Sequence, residues 1–283
     1  MIDARALLRE ANLFPKRSFG QNFLVAERVV AGIAEACVPG SELGRARVLE
    51  LGAGLGALTS LLVERAAHVT AVERDRDLVP LLTRALESAI SSGKLTVLEA
   101  DAQSVDVGAI LGDTSAARVL CGNLPYQITG RLLELAVTSV ERVDRVVFMV
   151  QNEVADRLVA APGTKEYGAL TVFVRAAFDV TRLFKVAPSA FHPPPEITSS
   201  IVRLVPASPL RAKETDSFRA LVRGAFAMRR KTLRNAWGGV APAETIARMA
   251  AEAAISLDAR GETLSVEDYA RAAAALDRAR LPR

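Results

Sequence analysis

Apolar residues along the chain fall into two kinds of run. Residues 47–51 (RVLEL), 68–73 (HVTAVE), 95–98 (LTVL), 118–121 (RVLC) and 145–151 (RVVFMVQ) are short and apolar, and each is bounded by glycine, aspartate, asparagine or charge. Between several of them apolar positions recur at helical spacing, as over 78–90 and 129–140. Strands alternating with helices predict right-handed crossovers and a parallel sheet. Two more strand-like runs, 170–178 and 200–205, have no clear helix between them and predict an antiparallel edge. The intervening FHPPPE cannot be helical, because three consecutive prolines lock φ and remove backbone donors. From about residue 206 the spacing is helical to the end, with breaks near Gly238-Gly239 and Gly261. The expected fold class is α/β: a large domain over 1–205 and a small helical domain over 206–283.

Composition narrows the class without changing this picture. Half of the 283 residues are apolar and 24% are charged, as in a soluble globular enzyme. No apolar run approaches the length that crosses a bilayer. The start, MIDARALLREANLFPKR, lacks the apolar core of a signal peptide, and Asp3 and Glu10 argue against a transit peptide. Two cysteines, Cys37 and Cys121, fit a reducing compartment. The expectation is a cytoplasmic protein, monomeric, with no membrane partner and no metal. The net charge of +4 is unevenly placed: residues 206–283 hold 14 Lys+Arg against 9 Asp+Glu. Such asymmetry points towards a polyanionic partner, with a solvated helical surface as the plainer reading.

Candidate chemistry gathers at the strand ends. The run from residue 50, ELGAGLGALTSLL, places Gly52, Gly54 and Gly56 between a strand and a helix. There the backbone can turn tightly and approach a nucleotide-like ligand. Glu73 ends the next strand, 21 residues after Gly52, where a carboxylate can accept both hydroxyls of a ribose. Asp101 follows the third strand and can accept from an adenine amine. Each acid alone reads equally well as a turn or capping residue; three successive strand ends make that reading much weaker. NAD and S-adenosylmethionine both satisfy these three positions.

The fourth strand end separates them. It carries Asn123-Leu124-Pro125-Tyr126, and no histidine is placed to act as a proton donor beside a hydride. An exocyclic adenine amine is a poor nucleophile because its lone pair is delocalised into the ring. Two acceptors gripping its two N–H groups turn that lone pair towards a methyl sulfonium. Asn123 offers a side-chain carbonyl and Leu124 a backbone one, whose direction Pro125 helps to fix; Tyr126 can stack on the base. A plain Asn-Pro turn is the alternative for the tetrapeptide taken alone.

Taken together, these motifs resemble the small-subunit ribosomal RNA adenine dimethyltransferases, over about residues 12–240. ELGAGLGALT, VERD, EADA and NLPYQIT match four successive motifs, and EYGALTV (166–172), FHPPPEITSSIVRL (191–204) and RRKTLRN (229–235) match later stretches. The family is Rossmann-like and uses S-adenosyl-L-methionine to dimethylate two adjacent adenines in a hairpin loop near the 3′ end of the small-subunit RNA. The resemblance implies that SFGQNFL (18–24) belongs to an N-terminal segment, 1–24, that wraps the cofactor, with contacts from Asn22 and Leu24. It places Gly52, Glu73, Asp101 and Asn123 at the cofactor, Asn123 to Tyr126 at the target base, and Phe191 against the opposite face of that base. One departure is Glu196, where the family often has lysine. A large-subunit RNA methyltransferase of the antibiotic-resistance type, a non-catalytic assembly factor that binds the RNA, and a protein-glutamine methyltransferase are the competing readings.

The basic segment completes the expectation. Residues 217–234 hold six Lys or Arg and no acid. On one continuous helix Arg219, Arg223, Arg230 and Arg234 form a stripe of roughly 60°. Phe218, Leu221, Val222, Ala225, Met228 and Leu233 then form the opposite face. Arg229 falls inside the apolar arc and is expected to pair or snorkel. Together with Lys231 these arginines are the expected contacts to RNA phosphates.

Overall fold

The structure, a computed structural model, describes residues 2–228 and 230–280, with Arg17 described by its backbone only. The chain opens with α1 (Ala4–Glu10), the two-residue strand β1 (Phe23–Leu24) and α2 (Glu27–Cys37). The alternating region follows: β2 (Arg47–Leu51), α3 (Ala57–Arg65), β3 (His68–Glu73), α4 (Val79–Ala85), α5 (Glu87–Ser91), β4 (Leu95–Glu99), α6 (Val107–Leu111), β5 (Arg118–Asn123), α7 (Thr129–Thr138), β6 (Arg145–Gln151) and α8 (Asn152–Val159). Then come α9 (Ala169–Ala177), β7 (Phe178–Val186), β8 (Phe191–His192), β9 (Ser199–Pro206), α10 (Asp216–Ala227), α11 (Leu233–Ala236), α12 (Ala243–Glu252) and α13 (Val266–Arg280).

Seven strands form one sheet in the order β4-β3-β2-β5-β6-β9-β7. Neighbours from β4 through β6 are parallel, and β9 runs antiparallel to β6. The expected parallel sheet with an antiparallel addition is therefore present. Strands buried on both faces explain why the runs are continuously apolar: β2, β3, β5 and β6 are buried over nearly their whole length. Chain order reverses between β2 and β5, since β3 and β4 lie on one side of β2 while β5 and β6 lie on the other. The crevice beyond the carboxyl ends of the strands at such a reversal is where open α/β sheets bind ligands. Gly122 permits the close approach of the two central strands, because a Cβ there would lie 2.4 Å from the Leu51 carbonyl oxygen.

The chain divides into two compact units, and several expectations need correcting. The first unit comprises residues 1–155 and 180–206; the second comprises 156–179 and 207–283. The expected boundary at 205/206 thus misses a segment, 156–179, that belongs to the helical unit. The run 170–178, expected as a strand, is mostly helix α9. Val172 and Ala176 of α9 join Phe218, Leu221, Trp237, Tyr269 and Leu276 in one apolar core, so packing overrides the β-branched propensity. The basic segment is also not one helix. It stops at Ala227 and restarts at Leu233, whose N–H donates to the Ala259 carbonyl while that of Arg234 donates to Leu257. Acceptors from a distant loop satisfy the first turn of α11 and fix its separate start. Met228, assigned to the apolar face, is 52% exposed. The helix expected over 78–90 is broken at Leu86 into α4 and α5.

One buried group works against the fold. Glu50 sits beside the apolar Val48, Leu49 and Leu51 of β2, 2% exposed, with Thr59 Oγ1 donating to its Oε2 at 2.6 Å. Burial pushes its carboxyl up to about 8, against the lowering pull of the Thr59 hydroxyl and with help from the nearby Glu73 charge. The folded state therefore keeps a proton that the unfolded chain loses above its ordinary value of 4.5. Stability is expected to fall as pH rises from about 4.5 towards 8. Glu50→Gln keeps an acceptor for Thr59 and removes this slope. Thermal melts of both proteins across that range check it: the variant should gain on wild type progressively towards pH 8, and parallel curves would exclude the effect.

Candidate active site

The crevice at the strand ends is lined by the glycine loop, the ends of β3 and β5, the turn after β4, and residues 18–24 of the N-terminal segment. Gly52, Gly54 and Gly56 all adopt positive φ (73°, 58° and 86°), which lets the loop fold back under the start of α3. The loop is pinned by β3. The Val72 carbonyl accepts from Gly52 and Ala53, and Glu73 Oε2 accepts from the Gly54 N–H at 2.8 Å. Glu73 Oε1 accepts from the N–H groups of Arg74 and Asp75 at 2.8 and 2.7 Å. Three amide donors thus hold the carboxylate at the crevice wall. Asp101 stands in the turn after β4, accepting from the Gln103 N–H at 2.9 Å and facing Arg74 Nη1 at 3.3 Å. The Gln103 donor, then the Arg74 charge, hold its carboxyl below the usual range against partial burial.

Asn123 ends β5 and lines the crevice. Its Nδ2 donates to the Asn22 carbonyl at 3.1 Å, which turns the amide so that Oδ1 remains as the acceptor. The Leu124 N–H donates to the Met149 carbonyl at 3.2 Å, and its side chain is buried. Neither Asn123 Oδ1 nor the Leu124 carbonyl accepts a hydrogen bond among the described residues. Pro125 lines the crevice, and its carbonyl accepts from the Ile128 N–H and the Thr129 hydroxyl, so the turn is held on both sides. Tyr126 is half-buried with its hydroxyl 2.9 Å from Ser199 Oγ on β9; it is not among the lining residues. The structure thus brings Asn22, Leu24, Gly52, Gly54, Glu73, Asp101, Asn123 and Pro125 to one crevice; Leu124 and Gly56 are not among its lining, and Gly56 faces the Leu82 and Leu86 side chains instead.

Phe191 is the exception among the expected base contacts. It is 2% exposed and belongs to the core of the first unit, because β8 pairs with β1 and sets Phe191 opposite Leu24. Its ring offers no free face for stacking in this structure. The expected RNA contacts in the second unit do not share one helix: Arg219 and Arg223 lie on α10, Arg230 and Lys231 between the helices, and Arg234 on α11. Arg219 pairs with Glu214 at 3.0 Å and Arg234 with Asp258 at 3.3 Å, while Arg223, Arg230 and Lys231 are exposed. Arg229 lies outside the described residues.

Two features went unread in the sequence. Glu50 lines the floor of the crevice; an acid inside an apolar strand, directly before the glycine loop, was the available signal. The N-terminal segment is also strapped down. Lys16 Nζ meets Asp75 Oδ1 at 2.5 Å and Asp77 Oδ2 at 2.6 Å, and Gln21 Nε2 donates to Asp75 at 2.6 Å. Arg74 lies 4.5 Å over the Phe19 ring. Burial raises the Asp75 carboxyl, but the Lys16 and Gln21 donors outweigh it and bring it below its ordinary value. No local pattern announces contacts that span more than fifty residues.

Comparison with known proteins identifies the family. The family model for ribosomal RNA adenine dimethylase matches residues 13–278. The ribosomal RNA small subunit methyltransferase A of Anaeromyxobacter sp. (strain K) is 42% identical over 277 residues, covering 94% of this chain and 95% of that protein. Its namesake from Desulfitobacterium hafniense (strain DSM 10664 / DCB-2) is 42% identical over 257 residues, covering 89% of each. Among solved structures, a dimethyladenosine transferase from Plasmodium falciparum superposes with a TM-score of 0.71 at 23% identity, over 88% of this chain and 95% of that one. A 23S rRNA methyltransferase, ErmE, gives 0.65 at 24% identity, over 90% and 100%. At those identities the structural likeness speaks for the fold. With the family model spanning nearly the whole length and relatives above 40% identity, this chain belongs to the ribosomal RNA adenine dimethylase family.

Proposed function

We propose that the protein transfers methyl groups from S-adenosyl-L-methionine to the exocyclic amines of two adjacent adenosines in a hairpin near the 3′ end of small-subunit ribosomal RNA, giving dimethyladenosines during ribosome biogenesis. The observation that carries the reading is the pair of open acceptors at the end of β5, Asn123 Oδ1 and the Leu124 carbonyl, at the crevice where Gly52, Glu73 and Asp101 meet.

The residues present fit the cofactor. The positive-φ glycines Gly52 and Gly54 suit close approach of a ligand, Glu73 would hold the ribose hydroxyls, and Asp101 would accept from the adenine amine. Asn22 and Leu24 would close the crevice from the N-terminal side. When bound, the cofactor supplies an electrophilic methyl group on a sulfonium. Asn123 Oδ1 and the Leu124 carbonyl take the two N–H groups of the target amine and direct its lone pair. Pro125 limits the carbonyl's freedom, since its ring fixes the turn that follows. The chemistry is positioning and electrostatics in a site prepared before the base arrives. No general base is needed, because the methylated ammonium loses its proton readily afterwards. The target base reaches the site from a loop or by flipping out of a helix. Arg223, Arg230 and Lys231 would contact RNA phosphates, supplying affinity rather than sequence choice.

Asn123→Ala is expected to lower methyl transfer at saturating cofactor at least a hundredfold while changing cofactor affinity little. Calorimetry and a methyl-transfer assay measure the two, and substantial residual transfer would refute the two-acceptor account. Arg223→Glu with Arg230→Glu is expected to weaken RNA binding and to reduce the slope of log K against log salt by about 2 for two lost phosphate contacts. Binding titrations from low to moderate salt measure this; an unchanged slope removes both arginines from the interface.

A further inference from the structure

A second groove lies in the first unit, lined by Asp3, Arg5, Leu8, Arg9, Leu13, Phe14 and His192 among others. Phe14 is 79% exposed. The other large apolar side chains exposed among the described residues are aliphatic, and none exceeds 52%. Together with Leu8 and Leu13, Phe14 gives the groove an apolar, aromatic surface on which a planar base can lie. Its neighbours give the surface a sign. Arg5 and Arg9 are exposed and have no ion-pair partner among the described residues. The one acid lining the groove, Asp3, accepts from the N–H groups of Arg5 and Ala6, while nearby Glu10 is taken by Arg84 at 3.2 Å.

The groove is joined to the active site through the backbone. His192 lies in register with Phe23 in the β1–β8 pair. Phe23 follows Asn22, whose carbonyl holds the Asn123 amide. His192 lines the groove and its cross-strand partner Phe23 lines the crevice, so the two sites meet at the β1–β8 pair.

We propose that this groove is a docking site for an unpaired nucleotide of the RNA substrate next to the target adenosine, with its base stacked on Phe14 and its phosphate held by Arg5 and Arg9. An exposed ring with unpaired arginines beside it is the chemistry that grips single-stranded nucleic acid without regard to sequence. The inference rests on the RNA-methylating reading above and adds to it a binding site outside both the methyl-transfer crevice and the basic second unit. It also gives the N-terminal segment two roles, since one face closes the crevice and the other receives the substrate.

The test compares Phe14→Ala, Phe14→Trp and wild type in binding unmethylated small ribosomal subunits and a protein-free hairpin RNA carrying the two adjacent adenines. Cofactor affinity is measured in parallel. Stacking on one base predicts about a tenfold loss of affinity for both RNAs in Phe14→Ala. It also predicts recovery in Phe14→Trp and unchanged cofactor affinity. Arg5→Glu with Arg9→Glu should weaken binding further and flatten its salt dependence. The proposal is overturned if Phe14→Ala binds both RNAs within twofold of wild type. It is overturned equally if the loss appears only with subunits, which marks a protein contact, or if cofactor affinity falls in step, which marks a purely structural role. Wild-type protein that methylates neither RNA would fail the functional reading instead, so the two failures are distinct.

Discussion

The hydrogen bond from the Asn123 amide to the Asn22 carbonyl joins two parts of the chain 101 residues apart, and the site depends on it. On one side it orients the amide so that its oxygen is left to accept. On the other it seats the N-terminal segment against the end of β5. That segment is independently tied to the end of β3, where Asp75 takes Lys16 and Gln21. Asp75 and Arg74 in turn give their N–H groups to Glu73, whose other oxygen holds Gly54. The glycine loop, Glu73 and the acceptor pair are therefore linked through a short chain of hydrogen bonds. A ligand that fills the crevice meets groups already in place, which is the condition under which fixed dipoles are worth most.

The sheet explains why these groups converge. Glycine loop, Glu73, Asp101 and Asn123 come from four successive strand ends, all on the carboxyl side and around the reversal of strand order. Gly122 lets the ends of β2 and β5 come together, since any side chain there would strike the Leu51 carbonyl. Glu50, one residue before Leu51, is buried at this same end of β2, and burial sets its carboxyl high. The cost in stability sits at the wall of the same crevice, as is common where a fold tolerates strain for function.

Much of this was legible along the chain, for identifiable reasons. Strands buried on both faces leave continuous apolar runs, so β2, β3, β5 and β6 stand out, and so do the polar residues that end them. The misreadings have long-range causes. Residues 170–178 carry β-branched side chains that suit a strand, yet a helical core far along the chain claims them as α9. The continuous helix over 217–234 satisfied local spacing, but carbonyls of Leu257 and Ala259 capture the first turn of α11. Phe191 carried a role by resemblance, and the pairing of β8 with β1 turns its ring into the core. The Lys16–Asp75 tie spans 59 residues, and no periodicity encodes it.

The central claim is that the acceptor pair at the end of β5 serves adenine amines of small-subunit RNA. Nucleoside mass spectrometry tests it most directly, on purified protein incubated with S-adenosyl-L-methionine and either unmethylated small subunits or protein-free large-subunit RNA. The account predicts dimethylation at the exocyclic amines of two adjacent adenosines in the small subunit and none in the large-subunit RNA. Methylation confined to large-subunit RNA, at ring nitrogens, or absent from both would contradict it.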